Sequence, residues 1–429
     1  MSSEDAVGPG SVRRTLGPLG DPETVGWWER VWRPFWVLPS TITAGAVLLG
    51  LLLPWVDDHV LGNVAFLFNG NADSARSLLG TIASAMISVT GLVFSITMVV
   101  MQLASSQFTP RLLGTFLGSR ITQVTLGVFT SSFVFAFMVL RDVRGGSAPF
   151  VPQLSVTVAF GLVLTSVALF FAFIHHITVS IQVDRVIDRI AENTVAALER
   201  GSEQEWDDTS AVPPSWAPGD GPTVVVTTRE RHGIVQRVHY TAMVRGAREA
   251  GAVVELLARP GDVRHRGQEV ARVHGAQADD EIVHEVRAAF GLGRERTLQQ
   301  DPEFGVRQLV DIAERALSPG INDPTTAVQV LDELHRILRV AAVRPDRSEY
   351  VVDGEGAVRV VDRPTTFARM LDLALDEVAY YGKDTLQVPV RIEALLDDVE
   401  GMARTEHAVT VGQKRADLRS RHGGRHAET

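Results

Sequence analysis

SLLGTIASAMISVTGLVFSITMVVMQLASSQFTP, residues 77–110, runs for 34 residues without an Asp, Glu, Lys or Arg. A helix rises about 1.5 Å per residue and a bilayer core is about 30 Å thick, so about 20 apolar residues cross it. Three more stretches share the property: Pro34–Val56, Ile121–Leu140 and Gly145–Val183. None has room for two spans and a turn. The expected transmembrane helices lie near Phe35–Leu53, Leu78–Met101, Gln123–Leu140 and Leu154–Ile174. Pro54 is expected to stop the first, because proline removes a backbone donor and clashes with the preceding turn.

Charge divides the chain in the same place. Residues 1–183 hold 9 of the 41 Lys+Arg and 9 of the 51 Asp+Glu, so the whole net charge of −10 falls in residues 184–429. A charge-poor part joined to a charge-rich part reads as lipid followed by water. This excludes a fully soluble enzyme, and the acidic water-exposed part excludes a nucleic-acid binder driven by bulk positive charge. With no Cys there is no disulfide framework, thiol nucleophile or Cys-bound metal.

Trp27, Trp28, Trp32 and Trp36 precede the first span and Trp55 follows it, as in an interfacial belt. The span is too long for a signal h-region, and polar residues precede it, so it is expected to persist as an anchor. Arg13, Arg14, Arg30, Arg33, Arg111, Arg120, Arg185 and Arg189 flank the spans on one side, against Arg76, Arg141 and Arg144 on the other. The bias predicts a multi-pass protein of the bacterial inner membrane with both termini cytoplasmic.

In the second span Thr81, Ser84, Ser88, Gly91, Ser95, Met98, Gln102 and Ser105 recur at alternating threes and fours. Such a stripe suits close packing against another helix, because small residues let backbones approach. It also suits the wall of a pore built by several copies. Either way a homo-oligomer in the bilayer is expected. His175 and His176 point about 100° apart on a helix and read as interfacial residues rather than metal ligands.

An amphipathic stalk is expected over residues 175–200 and a Pro/Gly/Ser-rich linker over 201–222. Short β-branched runs over 223–275 predict a small β-rich module. Its segment PGDVRHRGQEVARV is similar to the hairpins of lipoyl- and biotinyl-type barrels. Those carry their cofactor on a lysine, and no Lys precedes Lys383, so no covalent cofactor is expected. Residues 279–405 read as helical and 406–429 as a frayed helix or disordered tail. The expected fold class is therefore an α-helical integral membrane protein with four transmembrane helices over 35–174. It is preceded by an interfacial segment (1–34) and followed by a cytoplasmic α+β domain with a β-rich module and a helical C-terminal part.

RALSPGINDPTTA, residues 315–327, joins two of these helices. Asp301-Pro302 and Asp323-Pro324 each combine an acidic N-cap with proline at N1. Arg307, Asp311 and Arg315 share a helix face at i, i+4, i+8. Together with Ser318, Asn322 and Asp323 they form either a capped, salt-bridged corner or a ligand or partner site. No P-loop, dinucleotide, zinc-protease or nucleophile-elbow motif occurs, and His232, His239, His265, His274 and His284 lack ligand spacing. No enzyme activity, cofactor or metal is expected.

QLASSQFTPRLL (residues 102–113), RERTLQQDPEFGVRQLVDIAERAL and SPGINDPTTA resemble the hallmark segments of a bacterial family of predicted multi-span membrane proteins of unknown function. The resemblance runs from about Trp27 to Val399. Its marked positions fall at Ser105, Ser106, Gln107, Phe108, Pro110, Arg111, Asp301, Pro302, Ser318, Pro319, Gly320, Asn322, Asp323 and Pro324. It implies the multi-span topology and a soluble C-terminal domain, and no activity. Two functions stay open: a channel-like or transport-related oligomer, and a membrane-anchored regulatory or scaffold protein whose cytoplasmic domain binds a ligand or partner.

Overall fold

The structure, a computed structural model, describes residues 35–59, 68–107, 120–146, 149–180, 182–203, 216–219, 221–275 and 280–423. Two compact units divide it, one within Thr24–Val186 and one within Ile187–Thr429. The interfacial segment 1–34, with Trp27, Trp28 and Trp32 of the expected belt, lies outside the described residues, whereas Trp36 and Trp55 lie within them. So does most of the linker.

The helical unit consists of α1 (Val37–His59), α2 (Ala72–Gln107), α3 (Arg120–Asp142) and α4 (Gln153–Ser180). Each contains a stretch long and apolar enough to cross a membrane. Helix α3 is the hub: α1, α2 and α4 all pack on it, and it is the most buried of the four. Glycines set the α1–α3 approach. A Cβ on Gly127 would sit 2.8 Å from Ile42 Cδ1 and 3.1 Å from Pro39 Cα, and one on Gly50 would sit 2.8 Å from Met138 Cβ. Backbones this close leave no room for a side chain. Across α3 and α4 the hydroxyls of Ser132 and Ser166 lie 3.1 Å apart, and each also donates to its own helix.

Pro54 does not stop α1; the helix runs through it to His59. In apolar surroundings an opened backbone would leave several polar groups unpaired, so continuing the helix around one missing bond is cheaper. The extension brings the Asp57 carboxylate to the start of α4. There it accepts from Leu154 N (2.9 Å), Ser155 N (3.0 Å) and Ser155 Oγ (2.7 Å), an N-cap supplied by another helix. The amphipathic stalk expected over residues 175–200 is shared between α4, which ends at Ser180, and α5, which begins at Val183.

The second unit is α+β. After α5 (Val183–Glu203) come β1 (Thr223–Thr227), β2 (Gly233–Val238), α6 (Tyr240–Glu249), β3 (Val253–Leu256), β4 (Val263–Arg264), β5 (Glu269–His274), α7 (Asp280–Ala288) and β6 (Phe290–Gly293). Helices α8 (Pro302–Ala316) and α9 (Pro324–Ala342) follow, then β7 (Tyr350–Val352), β8 (Val358–Val361), α10 (Phe367–Gly382), α11 (Gln387–Met402) and α12 (Thr405–Gly423).

One sheet has the order β1-β5-β3-β8-β7 and the other β4-β2-β6. The β-rich module is therefore not confined to 223–275. β6 pairs with β2, and β8 runs parallel to β3 with Val254 opposite Val360. The expected all-helical stretch 279–405 thus supplies three strands. The hairpin β7–β8 turns at Gly356, in the left-handed region. The Asp353 carboxylate steadies that turn by accepting from Glu355 N, Ala357 N and Arg359 Nε. Helices α6 and α7 close over a core that includes Val226, Val235, Val254, Val273, Met243 and Ile282.

The expected tail is also corrected: residues 405–423 form α12. Its apolar face is narrow, but Val411 and Leu418 are buried and Lys414, also buried, lies 2.7 Å from both Asp372 and Asp376 of α10. Tertiary ion pairs, rather than a strong local apolar stripe, hold this helix.

Candidate functional site

Helices α8 and α9 start as the sequence predicts. Asp301 accepts from Phe304 N and Asp323 from Thr326 N, each with proline at the first helical position. The corner between them is closed by its own bonds. Ser318 Oγ donates to Arg315 O (2.7 Å), Asn322 N to Ser318 O (2.9 Å) and Asp323 N to Ala316 O (2.7 Å). Asn322 adopts φ 50°, a conformation its short polar side chain tolerates. The Thr326 hydroxyl and the Thr326 amide hold the Asp323 carboxyl below its ordinary pKa. Its stabilising effect is therefore present above the unfolded value and fades as pH falls through the lower folded value. Asp323→Ala should destabilise the unit by about 0.5–2 kcal/mol and Asp323→Asn by much less. Thermal melts of the full chain in mild detergent read both. Equal losses would discard the cap.

Arg307 does more than pair along its helix. Its Nε bonds Asp311 (2.6 Å), Nη1 reaches Glu377 of α10 (2.6 Å) and Nη2 meets Glu314 (3.2 Å). Three acids around one guanidinium leave negative charge in excess, which one retained proton reduces. Burial, then the hydrogen bond to Glu377, pushes the Glu314 carboxyl up to about 7, while the Glu377 carboxyl is held low, first by its bond to Glu314. The folded state thus keeps a proton that the unfolded state gives up at the ordinary glutamate value. This contribution is complete below that value and is lost as pH rises through about 7. Replacing Glu314 by Gln should flatten the stability profile between pH 5 and 8 and stabilise the protein at pH 8. The gain should be on the order of 1 kcal/mol once solvent screening is allowed for. A wild-type profile already flat over this range would remove the shared proton.

The predicted stripe on α2 faces away from the chain's own packing. Thr81, Ser84, Ser88, Gly91, Ser95, Met98 and Gln102 are all exposed, and the side chain of Ser105 lies outside the described residues. The face turned to the bundle carries Ala75, Leu79, Ile82, Met86 and Val93 instead. Thr81 and Ser88 donate back to Ser77 O and Ser84 O.

The feature that sequence reasoning missed is a cavity of about 120 Å³ in the α+β unit. Segments far apart in sequence wall it: Ala197 and Leu198 of α5, Tyr240 and Arg259, residues 299–302, the turn Arg344–Arg347 after α9, residues 362–365, and Phe367 and Met370 of α10. The hallmark segment QQDPEFG builds one side. Gln300 brackets Val238, accepting from its N–H (2.8 Å) and donating to its carbonyl (3.1 Å). Asp301 lies 2.7 Å from Arg296 Nη2; its carboxyl pKa is raised by burial, which that arginine partly offsets. Gly305 lets α5 approach: a Cβ there would fall 1.8 Å from Thr194 Oγ1. None of Arg307, Asp311, Arg315, Ser318, Asn322 and Asp323 lines the cavity.

The cavity's acids are engaged. Asp362 accepts from Tyr240 Oη (2.6 Å) and Arg363 N (2.7 Å), and Asp346 accepts from Phe367 N (2.6 Å). Burial first, and then Asp362, keep the Tyr240 phenol protonated by raising its pKa well above 10. The arginines are less well matched. Arg344 meets Glu199 only at 3.7 Å, and its Nη1 is buried without an acceptor among the described residues. Arg347 lies over the Tyr240 ring, 5.9 Å from its centroid, and its Nε is likewise buried without an acceptor.

Four apolar helices followed by an α+β unit with a polar cavity define a membrane protein with a substantial non-spanning domain. The chain belongs to the family described as Predicted membrane protein (DUF2254), which matches residues 32–398. Its relatives include an uncharacterized protein of Mycobacterium tuberculosis (strain CDC 1551 / Oshkosh), 32% identical over 384 residues, which cover 86% of this chain and 71% of the relative. An uncharacterized protein of Mycobacterium bovis (strain ATCC BAA-935 / AF2122/97) matches with the same identity and coverage. No solved structure matches.

Proposed function

We propose that this is a membrane-anchored regulatory protein whose cytoplasmic α+β unit binds a small ligand. The observation that carries the reading is the cavity, whose walls come from α5, the segments that follow strands β3 and β8, and the helical layer at once. A ligand there stabilises all three against one another. Helix α5 begins at Val183, soon after α4 ends at Ser180, and this closeness in sequence supports a bias of the apolar helices by occupancy of the cavity, carried through the chain itself. Helix α5 is also held to α9 by Arg336–Asp188 (3.3 Å), which gives its position a defined partner. The test is a metabolite screen by thermal shift on the full chain in mild detergent, repeated on Ala341→Phe, a cavity-filling variant. Ligands of the cavity shift the wild type and not the variant. A screen with no compound sensitive to the substitution would discard the reading.

The exposed stripe on α2 favours a second, compatible role: copies meet in the bilayer along this face, in a scaffold or a channel-like assembly. A small-residue face gains little from lipid and much from a closely packed helix. Ser88→Leu and Gly91→Leu should dissociate the assembly in mild detergent, as read by mass measurement. Cysteines at 88 and 95 should resist a water-soluble thiol reagent if the face is packed and react if it lines a pore. A monomeric wild type would sink both forms.

A further inference from the structure

We propose, resting on the ligand-binding reading above, that the cavity takes a small organic anion, a carboxylate or phosphate on a short apolar body, with Arg344 and Arg347 as its binding cations. Charge is the first ground. The three acids on the wall already accept hydrogen bonds from the protein: Asp301 from Arg296 and Phe304 N, Asp346 from Phe367 N, and Asp362 from Tyr240 and Arg363 N. Arg259 lies 3.8 Å from Glu303 and 3.7 Å from Asp262. Arg347, by contrast, has no carboxylate within 4.0 Å among the described residues, and Arg344 has only the loose contact to Glu199. Each keeps a buried nitrogen with no acceptor among the described residues. Both side chains are half-buried, and these inward nitrogens are the part of each guanidinium that lacks an acceptor; a planar two-oxygen anion is the group the fork fits.

Position is the second ground. Arg344 and Arg347 flank the turn Pro345-Asp346 at the end of α9. The bonds Phe367 N→Asp346 Oδ1 (2.6 Å) and Arg404 N→Ala342 O (3.1 Å) tie this turn to α10 and to the start of α12. The two cations are thus held on a fixed support rather than on a free loop. Shape gives the apolar part. Phe367, Met370 and Leu198 also line the cavity, and about 120 Å³ is close to the roughly 150 Å³ that holds a benzene-sized molecule. An acyl-chain lipid is too large, whereas a carboxylate or phosphate with a few carbons fits.

Titration calorimetry on the full chain in mild detergent tests this with three probes: butyrate, its neutral isostere butyramide, and inorganic phosphate. Butyrate or phosphate should bind at least tenfold tighter than butyramide, and Arg344→Gln and Arg347→Gln should each weaken that binding at least tenfold. Whichever anion binds tighter assigns the head group as carboxylate or phosphate. If a Gln variant loses its fold by circular dichroism, the Lys variant serves in its place, with weakened but measurable binding expected because it keeps the charge and loses the fork. Equal binding of butyrate and butyramide would overturn the inference, as would wild-type affinity in both arginine variants. Silence from all three probes, beside a neutral compound blocked by Ala341→Phe, would overturn the anion and leave the ligand-binding reading standing. A screen in which nothing is blocked by Ala341→Phe would remove that reading itself.

Discussion

Gly305→Ala should destabilise the α+β unit by roughly 1–3 kcal/mol, the usual range for overpacking. At an ordinary helix position the same substitution stabilises by up to about 1 kcal/mol, so even the sign is diagnostic. The added Cβ would lie 1.8 Å from Thr194 Oγ1 and 2.9 Å from Thr194 Cβ. Thr194 cannot swing away easily. Its hydroxyl donates to Ile190 O (2.6 Å), and its Cβ is fixed to the α5 backbone, so the two helices themselves have to part. Ala197 and Leu198 stand on the next turn of α5 and wall the cavity, so ligand affinity should fall with stability. Thr194→Gly in the same chain removes the two Thr194 atoms and should recover much of the loss, since the remaining contact, Leu298 Cδ2 at 2.9 Å, is the far end of a flexible side chain. Thermal melts of the full-length protein read the series. A Gly305→Ala variant as stable as the wild type would mean that α5 does not pack on α8 in this way.

Arg307→Met should cost about 3 kcal/mol, the lower end of the range for breaking a buried ion pair. The loss comes less from the missing bonds than from what stays behind. Asp311 is buried, and it, Glu314 and Glu377 all lose the guanidinium they share. Arg307→Lys should recover only part, because one ammonium cannot reach three carboxylates in the geometry of the fork. Adding Asp311→Leu to Arg307→Met should recover more, since the most deeply buried of the stranded charges then goes too. The penalty should also shrink at acid pH, where the remaining carboxylates protonate. A loss under 1 kcal/mol at neutral pH would show the cluster to be a solvated surface network of little weight.

The four spans and the starts of α8 and α9 were legible because their causes are local. Lipid excludes charge residue by residue, and Asp-Pro at a helix start satisfies its own amides. The corner SPGIND was legible for the same reason. Its bonds close within residues 315–323, whereas Gly305, in another of the family segments, meets its partner Thr194 more than a hundred residues away in sequence. Pro54 lies within α1 against proline's local preference because its surroundings are apolar. In those surroundings an open backbone is the greater penalty, and the continued helix carries Asp57 to the cap of α4.

The division into an apolar and a charge-rich part, the number of long apolar helices, and the turns and caps whose partners lie within a few residues all follow from local chemistry. The tertiary structure alone decided the rest. It placed β8 beside β3 across about a hundred residues, held α12 by pairing Lys414 with Asp372 and Asp376, and left the α2 stripe facing outward. It also gathered Leu198, Tyr240, Asp301, Arg344, Arg347 and Phe367 around one cavity. The physical reason is that composition and periodicity register a residue's affinity for its surroundings, lipid, water or core. The electrostatic worth of an arginine depends on which carboxylates the fold brings within a few ångströms, and which it leaves out of reach.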